Sequence, residues 1–174
     1  MKKIASFLLI LLSLSNITFG QNTKSTRVFL NDKVEITLED SYKEESQEKI
    51  IKEYPDPTMR PSVILVNKEN KTSIKFIKMP QRVSNRQVKE FKEFHMSHMK
   101  KERGIEWIED GVIEQFEKNI GFIKVIYTEK ESFTYFLFTS LDGQLLLINF
   151  TSPASAWPDI KTYAEEIMSS LKVN

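Results

Sequence analysis

Phe133-Thr-Tyr-Phe-Leu-Phe-Thr-Ser-Leu141 is followed by Asp142-Gly143 and then by Gln144-Leu-Leu-Leu-Ile-Asn-Phe-Thr151. Two apolar runs separated by Asp-Gly read as a β-hairpin with a two-residue type I′ turn. Such a turn needs positive φ at both central positions, which Asp tolerates and Gly adopts freely. A loop of that length sets Leu141 opposite Gln144, Phe138 opposite Leu147 and Phe136 opposite Asn149. Phe136, Phe138, Leu146, Ile148 and Phe150 need cover, and so do Phe133, Tyr135, Leu137, Leu145 and Leu147. Strands apolar on both faces belong in a sheet packed on both sides.

Working outward, residues 120–128 are also strongly apolar on both faces and reach the hairpin through a turn at 129–131. Before them, 105–108 and 112–116 read as two strands of weaker pattern, with a turn at 117–119. Residues 62–66 and 73–79 flank the polar turn 67–72 and form a second hairpin. Nearer the start, 27–30 and 34–38 surround Asn31-Asp32-Lys33, with Val34, Ile36 and Leu38 on one face.

Three stretches read as helices. Ser84 and Gln87 form a capping box, and Val88, Phe91, His95 and Met99 make one stripe up to about residue 102, where Gly104 stops it. Trp157, Ile160, Ala164, Ile167, Met168 and Leu171 make a second stripe over 157–171, with Pro158 tolerated in the first turn. A short charged helix is expected at 44–53, before a rigid loop with Pro55, Pro57 and Pro61. Short connections between strands favour an antiparallel sheet, and amphipathic helices must cover its faces. The expected fold is α+β, an antiparallel β-sheet flanked by helices in an α/β/α sandwich.

The N-terminus stands apart. Met1-Lys2-Lys3 is positive, 4–14 is apolar apart from Ser6 and Ser13, and 15–20 is more polar, with Thr18 and Gly20 at the −3 and −1 positions. This is the pattern of a secretory signal peptide cleaved after Gly20, and it is too short for a bilayer span. The expected organisation is a signal peptide at 1–20, a disordered segment at 21–26 and a single α+β domain at 27–174. No Cys follows the leader to carry a lipid, and none is present to form a disulfide, so the core alone must hold the domain. The lysine-rich start, short leader and lack of Cys point to a bacterial periplasmic or secreted protein. In that setting Asn70-Lys71-Thr72 and Asn149-Phe150-Thr151 are accidents rather than glycosylation sites.

Without Lys2 and Lys3, the 25 basic residues fall to 23 against 24 acidic ones, a net charge of −1. Nucleic acid is thereby disfavoured as a partner, because neutralising phosphates needs a basic surplus. Charge is uneven: 68–103 holds eleven basic and four acidic residues, and 34–57 three basic and eight acidic. Solvated faces that cancel over the molecule account for this most simply, and a basic patch for an acidic partner is the alternative.

Few residues carry recognisable chemistry. His95 and His98 are the only histidines and lie with Met96 and Met99 at a spacing that could hold a soft metal ion. No third ligand completes that set, so core edge and surface are the simpler roles. There is no nucleophile motif and no phosphate-cradling glycine loop. Glu106, Glu109, Asp110 and Glu114 read as a solvated face, and Glu106 with Asp110 as the best carboxylates for a rival hydrolase. Trp107 beside them is either partly packed in the core or an exposed recognition residue. No catalytic residue, metal site or cofactor is assigned.

From Val34-Glu-Ile-Thr-Leu38 and Tyr42, through the hairpin ending Ser73-Ile-Lys-Phe76 and the helix after Ser84, to Tyr135–Phe150 and Trp157 leading to Ile167-Met-Ser-Ser-Leu-Lys-Val173, the chain resembles the PsbP/Mog-like superfamily. Within it the chain is similar to the DcrB-type periplasmic proteins. The proline that often follows the early strand is replaced by Glu39-Asp40. The resemblance implies an antiparallel sheet between helices and a non-catalytic binding or assembly module with a protein partner. It carries over no site residue.

Overall fold

The computed structural model describes residues 23–174, so the proposed leader lies outside the described residues. Ten strands and three α-helices follow in the order β1 (Lys24–Phe29), β2 (Val34–Glu39), β3 (Lys43–Glu44), α1 (Gln47–Glu53), β4 (Val63–Asn67), β5 (Thr72–Arg82), α2 (Val88–Met99), β6 (Ile105–Gln115), β7 (Lys118–Tyr127), β8 (Ser132–Leu141), β9 (Gln144–Pro153), α3 (Lys161–Ser169) and β10 (Lys172–Val173). Seven strands form one antiparallel sheet in the order β3-β4-β5-β9-β8-β7-β6. A second sheet, β1-β2-β10, is also antiparallel.

The opening hairpin sits near the centre of the large sheet. Its register pairs Leu141 with Gln144, Phe138 with Leu147 and Phe136 with Asn149, as the two-residue loop requires. Asp142 and Gly143 have φ of 53° and 73°, the left-handed pair of a type I′ turn. The two sets of apolar residues are partitioned differently from expectation. Cross-strand partners share a face, so Leu145 and Leu147 join Phe136 and Phe138 in one core, with Val88 and Met99 of α2. Leu146, Ile148 and Phe150 join Phe133, Tyr135 and Leu137 in the other, under α3 and the small sheet.

That second core is held by Val34, Ile36 and Leu38 of β2, by Val173 of β10, and by Ala164, Ile167, Met168 and Leu171, all buried. The sheet is therefore covered by α2 on one side and by α3 with the three-stranded sheet on the other. The chain leaving α1 places Tyr54 over Lys75, whose Nζ lies 5.4 Å from the ring centroid. α2 reaches the sheet closely at Gly121, where a Cβ would stand 2.9 Å from that of Lys92.

Four local expectations are corrected. Lys24 to Thr26 are not disordered but begin β1, pairing with Glu39, Leu38 and Thr37. Their polar side chains bond other polar groups, such as Ser25 Oγ to Asp40 Oδ1 at 2.7 Å, and so leave no apolar pattern to read. The two weak strands at 105–108 and 112–116 are one strand, β6, with a bulge between Trp107 and Glu109. The last helix begins at Lys161, not Trp157. Trp157 precedes Pro158, whose ring drives it out of the helical region to φ −60°, ψ 152°. Its indole stacks on Phe133 with centroids 3.9 Å apart. The helix after Ser84 has the expected capping box but ends at Met99, short of residue 102.

Candidate protein interface

The bulge in β6 decides what its carboxylates can do. One extra residue makes Trp107 and Asp110, three apart, point to the same side of the sheet. Trp107 Nε1 donates to Asp110 Oδ1 at 3.1 Å, and Lys92 Nζ of α2 donates to Asp110 Oδ2 at 2.6 Å. Glu109 points to the opposite side, where its Oε2 accepts from Lys124 Nζ at 2.8 Å. Lys124 also donates to Glu165 of α3 at 2.8 Å and lies 4.9 Å from the Tyr135 ring centroid. Trp107 is thus a half-buried packing residue, its ring under the Lys100 ammonium.

The side chains of Lys92 and Lys124 are only 3% and 6% exposed. Burial works against their charge, but the bonds to acids outweigh it, and both ammonium groups titrate above their ordinary range. The Lys92 bond, more than the Trp107 bond, holds Asp110 below the usual carboxylate range. A catalytic acid needs the opposite shift. Glu106 lies opposite Ile126 in the α3-side core, and Asp110 opposite Ile123 in the α2-side core. The sheet separates them, so they do not converge on a substrate.

The histidines are also not brought together. His95 lies on the apolar face of α2, 5.2 Å from the Phe138 ring centroid, and burial pushes its pKa down. His98 is exposed, lies against Phe94 with ring centroids 4.4 Å apart and has its Nδ1 2.9 Å from the Phe94 carbonyl oxygen. Among the described residues no group of three or more His, Cys, Asp or Glu is placed to hold a metal ion.

What the fold does present is the outer edge of β6. This strand ends the seven-stranded sheet, and after the bulge its register with β7 runs unbroken from Glu109 to Gln115. Val112 and Ile113 are exposed there, and Phe116, at the tip of the β6–β7 hairpin, is 57% exposed. Phe116 and Glu117 have φ of 50° and 63°, a conformation that costs a bulky L-residue energy. The tip is clamped from both sides. Asn85, before α2, donates to the Glu117 carbonyl at 3.3 Å and accepts from Asn119 N–H at 2.7 Å. Gln115 donates to the Ser169 carbonyl at 2.7 Å. A shallow depression of about 590 Å³ lies beside Phe116, lined by Asn85, Lys118, Lys172 and Asn174 among others. In the sequence Phe116 reads as the end of a strand, and no local signal marks it as exposed.

Solved structures match this fold over 87–90% of the chain. The protein has the PsbP/Mog1-like fold. PsbP (CyanoP) from the cyanobacterium Synechocystis sp. PCC 6803 is 12% identical over 90% of this chain and 96% of its own, with a TM-score of 0.58. The Ran-binding protein Mog1p of Saccharomyces cerevisiae is 12% identical over 87% of this chain and 95% of its own, at 0.52. A structure from Bacteroides thetaiotaomicron VPI-5482 is 11% identical over 88% of this chain and 49% of its own, at 0.53. No family model and no curated protein matches the sequence. These likenesses establish the PsbP/Mog1-like fold for this chain.

Proposed function

We propose that this is an exported, non-enzymatic binding protein that acts through a protein partner from the periplasm or beyond. The observation that carries the reading is the clamped hairpin tip with Phe116 exposed at the end of an open edge strand. Asn85 and Gln115 fix the turn so that Phe116 is presented at a set place, and aromatic anchors dominate protein interfaces. The Ran-binding relative with this fold supports a protein as the partner. Export rests on the leader pattern at 1–20. The finer form is a DcrB-type or secretion-linked accessory protein, an immunity protein included. The hydrolase alternative loses its support because Glu106 and Asp110 face opposite sides of the sheet.

The test is a photo-crosslinking amino acid placed at Phe116 in the producing cell. A discrete crosslinked protein, lost when the probe is moved to Lys52 on α1, is expected. No crosslink at Phe116, together with turnover in a broad hydrolase screen, would overturn the proposal. Mass spectrometry of the exported chain should begin at Gln21. A full-length chain retained in the cytoplasm would overturn the export part.

A further inference from the structure

We propose that the β6 edge receives an extended lysine- or arginine-bearing segment of the partner as an additional strand. This rests on the protein-partner reading above and names the chemistry of the occupant. An edge strand offers a row of unused N–H and C=O groups and pairs with other chains unless protected. Among the described residues, none of the loop or cap backbone bonds reaches 105–115. The opposite edge of the same sheet, β3, is only two residues long. β1, at the edge of the small sheet, carries cations already engaged by its own fold: Lys24 with Glu166, and Arg27 with the Tyr42 and Glu39 carbonyls. β6 runs for 11 residues, and its bulge protects only the first part.

Charge selects the occupant. β6 carries Glu106, Glu109, Asp110 and Glu114 and no basic residue, and Glu117 follows in the turn. Glu109 and Asp110 are neutralised by Lys124 and Lys92, whereas Glu106 and Glu114 are exposed. A second copy of β6 would set acids against acids across the new ladder, which destabilises pairing. A basic strand would instead meet Glu106 and Glu114 with its charges. Its apolar residues would cover Val112 on the α2 side, Ile113 on the α3 side and the Phe116 ring. Because Val112 lies opposite Gly121 and Ile113 opposite Ile120, the two apolar positions extend both cores outward rather than standing alone.

The experiment titrates the purified mature chain with a peptide of about nine residues rich in valine and threonine, with two lysines about seven positions apart so that they fall on opposite faces of the added strand, as Glu106 and Glu114 do. The same peptide with glutamate at those two positions is the control, and backbone amide shifts and hydrogen exchange are the readouts. Shifts and slowed exchange within 109–115 are expected with the lysine peptide only. The variant Glu106→Lys/Glu114→Lys changes surface side chains and should still fold. It should bind the lysine peptide roughly tenfold more weakly, as two attractive cross-strand pairs become repulsive, and should gain affinity for the glutamate peptide. Unchanged β6 amides, or equal binding of the lysine peptide by the variant, would overturn the proposal. So would concentration-dependent protection of the same amides without peptide, which would mark a second copy as the occupant. If a partner still crosslinks at Phe116 while the lysine peptide leaves β6 unchanged, the protein-partner reading stands and strand addition falls.

Discussion

Asp110→Asn and Lys92→Met break the same ion pair from opposite ends, and the first should cost more than the second. Asp110 is 26% exposed and accepts from both Lys92 and Trp107, whereas the Lys92 side chain is almost wholly covered. In Asp110→Asn the amide can still accept from Trp107, but the buried ammonium loses its nearer carboxylate. Glu93, at 2.7 Å, remains as a partner. A charge-assisted bond is worth about 1.5–3 kcal/mol, and the retained Glu93 and partial exposure bring the expected loss to about 1–2 kcal/mol. With a urea slope near 2 kcal/mol/M, the midpoint should fall by roughly 0.5–1 M. In Lys92→Met the stem volume is kept, the buried charge is gone and Asp110 turns to Trp107 and water. That change should cost less than about 1 kcal/mol, or stabilise, because desolvating an ammonium offsets much of a pair's attraction. Urea melts of both variants beside wild type decide the matter. A larger loss for Lys92→Met than for Asp110→Asn would refute the reasoning. The pH dependence gives a second check. Because the folded-state pKa of Asp110 is lowered, its stabilisation is present above the ordinary carboxylate value near 3.9 and is lost as pH falls through the lowered one. Asp110→Asn should remove that part of the acid-side decline.

Phe138→Ala should cost about 3–5 kcal/mol in urea melts, since the ring is fully buried on a central strand and packs against His95 and Phe136; a neutral result would make the hairpin peripheral. Gly143→Val should lower the thermal midpoint although no neighbour lies within 4 Å of the added Cβ, because a β-branched residue resists φ of 73°; Gly143→Asn should be milder. Burial lowers the His95 pKa, so its contribution is intact above the ordinary histidine value near 6.5 and declines as pH falls below it; His95→Phe should flatten that decline in urea melts taken on both sides of it.

The turn and the register of the hairpin at 133–151 were readable because turn chemistry is a local property, whereas the two faces pair Leu145 and Leu147 with Phe136 and Phe138 only once the strands are set opposite each other. The capping box at Ser84 and the buried row Val34, Ile36 and Leu38 were readable for the same reason. Where local signals were absent, the reading failed: the first half of β1, Lys24 to Thr26, is polar and hydroxyl-bonded, and β10 is two residues long and exists only because β2 is there to pair with it. Pro158 carried a legible signal, its effect on Trp157, that the apolar stripe outweighed.

The candidate site was the least legible part. Glu106, Glu109, Asp110 and Glu114 look like one solvated stripe in the sequence. A single bulge sends Glu109 and Asp110 to opposite faces, each to a buried lysine 15 or 18 residues away. Likewise Phe116 reads as a strand residue until the chain reverses beneath it and Asn85 and Gln115 hold the tip. The amino-acid order by itself determined the antiparallel α+β fold and the central hairpin, because periodicity and turn preference act over a few residues. Only the tertiary structure decided which strand is left at the edge, which acids are paired and which aromatic is presented. Those depend on contacts between segments far apart in the chain, and no local pattern encodes them.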